Sequence, residues 1–164
     1  MQHLLFSSPL DEKEAVRVST KHFRQVGDAK QLAGGVQGLF YDLGYCAITE
    51  MRLASGQRAD VIGLDWRGRF VVAEIKISRA DLQADRKWLD YLSFRDDFYF
   101  AVPADFPIHI APDGSGLIVA DQFNGEIVRP SCHKSMATGC RKQQIMQFAR
   151  TAGTRLYRYQ RQGL

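Results

Sequence analysis

The chain has 164 residues and a mass of 18.6 kDa, the size of one ordinary domain; 45% hydrophobic and 24% charged residues exclude a disordered chain. No apolar run approaches the roughly 18 residues of a membrane span, and three scattered cysteines (Cys46, Cys132, Cys140) exclude a disulfide framework, so a reducing cytoplasm is expected. The net charge of +4 is uneven: residues 127–164 hold eight basic residues and no acid, leaving fourteen basic and eighteen acidic residues in the rest.

Residues 1–27 carry weak signals and read as a variable lead-in, with neither the cationic flank nor the length of a signal peptide at the start; a single domain is expected over 28–164. Asp28 has the chemistry of a helix N-cap. Leu32, Val36, Leu39, Phe40 and Leu43 follow at helical spacing, and Gly44 supplies the stop. Gly34, Gly35 and Gly38 inside this helix each cost about 1 kcal/mol relative to Ala, a sign that something comes close to its backbone: packing on the sheet, or a phosphate backbone.

Three strands are predicted next, over 45–53, 58–65 and 70–77, joined by turn chemistry at 54–57 and 66–68. A helix opening on Ser78-Arg79-Ala80-Asp81, a capping pattern, is predicted to run to about Phe94. Phe98–Val102 reads as a buried fourth strand closed by Pro103. Residues 116–121 and 126–129 read as a hairpin turning at Asn124-Gly125. A basic helix over about 135–159, broken near Gly153, ends the chain. Helix, three strands, helix and strand in that order predict a mixed β-sheet flanked by helices. No phosphate-binding glycine fingerprint of a nucleotide fold is present.

Two acids and a lysine stand out because they interrupt apolar strands. Glu74 and Lys76 share one face of the third strand. Asp60 interrupts the second strand, and pairing of the two strands would bring Asp60 and Glu74 side by side. Charges in that setting need a solvent path, a partner or a ligand. Two carboxylates suit Mg²⁺ or Mn²⁺, which activates water and stabilises charge on a phosphodiester, while a lysine positions the nucleophile or neutralises the developing charge. A structural Asp–Lys–Glu cluster is the alternative. Cys132, His133 and Cys140 lack the second ligand pair of a zinc site. Trp88 reads as a core residue. Arg155, Arg158 and Arg161, with Phe148, Tyr157 and Tyr159 interleaved, suit a polyanion, DNA first; a solvated helix face is the alternative.

Asp60 followed by Glu74-Ile75-Lys76 resembles the PD-(D/E)XK nuclease pattern. More closely, residues 56–61, 74–81, 85–91 and 98–103 resemble the MmcB-like family of bacterial DNA repair proteins. The resemblance implies a restriction-endonuclease-like fold: an α-β-β-β-α-β core of mixed sheet and flanking helices, here with a C-terminal hairpin and basic helix. It implies Asp60 and Glu74 as metal ligands, the Ile75 carbonyl as a third, Lys76 as catalytic lysine and Glu50 as a candidate further acid, for which a plain surface role on its strand is the alternative. Gln83, Lys87 and Tyr91, four residues apart, would form one DNA-facing stripe; for Lys87 a plain solvated lysine is the alternative. Ala59 stands where the superfamily has proline, a variation that leaves the ligands themselves unchanged. The function implied is a Mg- or Mn-dependent endonuclease acting on damaged or branched DNA. The alternative is a nuclease-fold DNA-binding or scaffolding part of an assembly with other repair proteins. No membrane is involved, and cutting both strands would favour a homodimer.

Overall fold

The computed structural model describes Phe23, residues 28–85 and residues 88–162. Among them the chain order is α1 (Ala29–Asp42), β1 (Tyr45–Arg52), β2 (Arg58–Asp65), β3 (Phe70–Ile75), α2 (Arg79–Ala84), β4 (Asp97–Val102), β5 (Gly116–Ala120), β6 (Gly125–Arg129) and α3 (Thr138–Gln162). The six strands form one sheet in sequence order. β1, β2 and β3 run as an antiparallel meander, β3, β4 and β5 are parallel, and β6 returns antiparallel. The expected α-β-β-β-α-β order and mixed sheet are present, extended by the hairpin and the long basic helix.

Both expected caps form. The Asp28 side chain accepts from the Gln31 N–H at 2.8 Å and the Ser78 hydroxyl from the Asp81 N–H at 3.2 Å. α1 presses Leu32, Val36 and Phe40 onto Val61, Val71, Ala73, Ile75 and Ala101 on one sheet face. The other face packs Ile62, Phe70, Val72, Phe98 and Phe100 against Leu82, Tyr91, Met136 and Phe148. Of the α1 glycines, Gly35 is required by packing: a Cβ there would collide with the Asp121 and Asn124 carbonyl oxygens in the β5–β6 turn, whereas one on Gly38 would meet only ordinary contact. Trp88 lies in the core, stacked 5.7 Å from Phe98.

Three boundaries differ from expectation. β3 stops at Ile75 rather than Ile77, although the Lys76 N–H still donates to Ala101 O at 2.9 Å. The second helix ends at Ala84, and a separate 3₁₀ helix covers Trp88–Ser93. α3 runs unbroken through Gly153, as an exposed glycine weakens a helix by only about 1 kcal/mol and need not end it. Phe23, placed in the lead-in by sequence, is half-buried against the Phe98 core. No helix of the described residues is long and apolar enough to cross a membrane.

Candidate active site

β2 and β3 come apart where the acids sit. Their ladder closes at Val61↔Ala73. The next positions in register, Asp60 and Glu74, replace ladder bonds with side-chain ones: the Ile75 N–H donates to Asp60 Oδ2 at 2.9 Å, and the Asp60 N–H donates to Glu74 Oε1 at 3.3 Å. The carboxylates therefore sit in the fork, satisfied in part by backbone the strands no longer pair.

A backbone switch turns Asp60 toward solvent. Glu50, opposite Asp60 in the β1–β2 register, has φ +52°, the left-handed region that costs a non-glycine residue about 1 kcal/mol or more. The alternation of faces inverts there. Val61 packs under α1, whereas Ala59 and its partner Met51 pack on the opposite face. Asp60 consequently lines a cavity of about 480 Å³ between the sheet and the first turns of α1, together with Glu50, Thr49, Ile75, Lys30 and Gln37.

Glu74 is buried, and burial together with the neighbouring Asp60 carboxylate pushes its carboxyl up to about 8. Burial also raises Asp60, against the opposing hydrogen bond from Ile75. Two carboxyls that resist ionising together are relieved by a shared proton or by a cation. No group of three His, Cys, Asp or Glu side chains converges among the described residues. Asp60 and Glu74 thus fit a hard cation whose remaining ligands are backbone carbonyl, water or phosphate oxygens.

Lys76 ion-pairs with Asp85, Nζ to Oδ2 at 2.7 Å, both groups largely buried. Burial works to lower the lysine's pKa, but the Asp85 hydrogen bond and charge outweigh it, so the ammonium stays charged. Asp85, the residue that caps the C-terminus of α2, was assigned no role from sequence, although it opens the 85–91 block that carries the resemblance. Tyr91 is also in this group. Its hydroxyl donates to Arg58 O at 3.0 Å, with Glu74 in hydrogen-bond reach.

The remaining expected residues divide. Glu50 shares the cavity with Asp60, but its carboxylate is bound by Arg58 Nε at 2.7 Å. The stripe of Gln83, Lys87 and Tyr91 does not form, because the helix stops after Ala84: Gln83 is exposed, Tyr91 is buried behind Glu74, and Lys87 lies outside the described residues. Arg155 is half-buried and already engaged with backbone. Its guanidinium donates to the Thr49 carbonyl and, at 2.9 Å, to Glu50 O, clamping α3 onto β1. Arg158 and Arg161 are exposed in the last turns of α3.

Fold and fork together give a mixed α/β domain that carries an Asp, Glu-x-Lys constellation where β2 and β3 part. The chain belongs to the MmcB-like family of DNA repair proteins, whose model, described as "DNA repair protein MmcB-like", matches residues 16–163. That match begins inside the stretch read as a lead-in. Among solved structures, a protein of unknown function from Silicibacter pomeroyi, SPO1766, is 39% identical and superposes with a TM-score of 0.76 over 81% of this chain and 91% of its own. A repair endonuclease from Pyrococcus abyssi matches at 18% identity and a TM-score of 0.33, over 49% of this chain and 40% of its own, too little to argue from. The curated proteins contain no match.

Proposed function

We propose that this DNA repair protein is a metal-dependent endonuclease that hydrolyses phosphodiester bonds in damaged or branched DNA. The observation that supports this reading best is the β2–β3 fork, where Asp60 and Glu74 interlock through each other's backbone and Glu74 is held near a pKa of about 8 by burial and by Asp60. Asp60 and Glu74 would hold Mg²⁺ or Mn²⁺, with the Ile75 carbonyl as a third ligand; the metal would lower the pKa of a bound water and stabilise charge on the phosphodiester. Asp60 opens onto the cavity, so it meets the DNA side of the site, while Glu74 is fixed from behind by Tyr91. Lys76, kept charged and oriented by Asp85, offsets negative charge at the reacting phosphate.

The test is cleavage of duplex, nicked, flapped and four-way DNA in Mn²⁺. Glu74→Gln and Asp60→Asn are expected to abolish cutting while the circular dichroism spectrum is kept, and Lys76→Ala to abolish it while Mn²⁺ binding persists. Undiminished cutting by Glu74→Gln overturns the assignment. Binding to these DNAs with no cutting by the wild type makes the protein a scaffolding component instead.

A further inference from the structure

Every residue from Leu156 to Gln162, the last two turns of α3, is exposed. Leu156, Tyr157 and Tyr159 stand 58%, 62% and 77% open to solvent. A helix solvated all round gains nothing from tertiary packing, and this one projects from its last anchor, the Arg155 clamp on Thr49 and Glu50. Glu50 lines the cavity that Asp60 enters, so the overhang starts at the rim of the fork.

Its side chains describe what it meets. Arg158 and Arg161 make it cationic, and no acid lies in the sequence beyond Glu126 to neutralise them. Leu156 and Tyr159 share one face at i, i+3, and Tyr157 and Arg161 another at i, i+4. Arginines alone would suit duplex phosphates. Exposed rings beside them suit a polyanion that also offers flat apolar faces, which in DNA are the bases of an unpaired strand, since a duplex hides them in its stack. Tyr157 and Tyr159 stand two residues apart, on opposite faces of the helix, so each ring offers a face to its own base.

We propose that the α3 overhang is a stacking arm that holds unpaired bases of a forked or gapped DNA on the rings of Tyr157 and Tyr159, one on each of two opposite helix faces, leaving the junction at the Asp60–Glu74 fork. The placement of the junction rests on the nuclease reading; the arm itself does not. The test is therefore binding in EDTA, by fluorescence anisotropy of the full chain with a labelled fork, its single strand, and a blunt duplex of equal length. Tyr157→Ala/Tyr159→Ala is expected to weaken the fork and the single strand about tenfold or more, and the duplex less than twofold. Tyr157→Phe/Tyr159→Phe is expected to restore fork binding, since the ring and not the hydroxyl stacks. Arg158→Gln/Arg161→Gln is expected to weaken all three. A wild type that binds fork and single strand no better than duplex, an alanine variant that loses the same affinity for each, or no loss at all, overturns the arm. An arm that passes in a protein that never cuts DNA in Mn²⁺ leaves this inference standing and ends the nuclease reading.

Discussion

At the scale of single residues, the site is defined by groups whose charges are costly where they stand. Glu74 is the extreme case. Its carboxyl, normally near 4.5, titrates at about 8 in the folded, metal-free chain because it is buried and faces Asp60. The folded state therefore binds a proton that the unfolded state releases between pH 4.5 and 8, so the metal-free protein loses stability as pH rises through that window. Glu74→Gln is expected to flatten this dependence and to be the more stable variant at pH 8, as read by urea unfolding. Mn²⁺ is expected to raise the melting temperature of the wild type most at pH 8 and that of Glu74→Gln little. Equal stabilisation of both proteins would place the metal elsewhere. Glu50 shows a second kind of strain, in the backbone, and Arg155 holds it in place by binding its carbonyl from α3. That contact joins the basic helix to the site through structure, before any contact with substrate.

At the scale of elements, the fork is kept in place by how α3 is pinned at its other end. Asp96, just before β4, is almost fully buried, accepts from the Phe70 and Met136 N–H groups at 2.7 and 3.0 Å, and takes both arms of Arg141 at 2.7 Å. Burial would raise its pKa, but these bonds bring it down to about 2. The depressed value means that its contribution is complete above the unfolded pKa near 4 and is lost as pH falls from about 4 to about 2. Asp96→Asn leaves Arg141 partly buried without its partner and is expected to lose about 3–5 kcal/mol at pH 7, with the gap to wild type closing toward pH 2 in urea titrations. Local signals announced these elements well: the caps at Asp28 and Ser78, the Val- and Ile-rich β3, the turn residues between β1 and β2. What escaped them was set at a distance. α2 ends at Ala84 where the Asp85 carboxylate is drawn to Lys76, nine residues earlier and just past the end of β3, and helical periodicity through residue 91 carried no trace of that pairing. The left-handed Glu50 was equally hidden, since it depends on β1 pairing with β2 and on Arg155, more than one hundred residues along the chain. The acids at the fork were legible because an ionised side chain inside an apolar run is improbable without a purpose. The division of labour among the arginines was not, because composition cannot tell a guanidinium bound to a carbonyl from one facing water.

At the scale of the whole molecule, charge is sorted along the chain. The first 126 residues carry an excess of four acids, and the remainder carries eight basic residues and no acid. A cluster of carboxylates would repel a phosphate backbone on its own, so attraction has to come from elsewhere on the surface, and α3 lies across β1 next to the fork. Not every base in that stretch is available for it. Arg141 is committed to Asp96, Arg155 to the β1 carbonyls, and Arg129 to Ser115 and Pro112. Arg158 and Arg161 are exposed on the overhang. Each phosphate neutralised on duplex DNA contributes about 0.9 to the slope of log affinity against log salt. Arg158→Gln/Arg161→Gln is therefore expected to reduce that slope by about 1.8 for a blunt duplex measured between 50 and 200 mM salt, with the melting temperature unchanged. Arg155→Gln is expected to do the reverse: to lower the melting temperature by releasing α3 from β1, and to leave the salt slope near that of the wild type. A slope that falls as much for Arg155→Gln as for the double variant would mean that the clamp opens to phosphate when DNA arrives, and would return Arg155 to the binding surface that its sequence alone proposes.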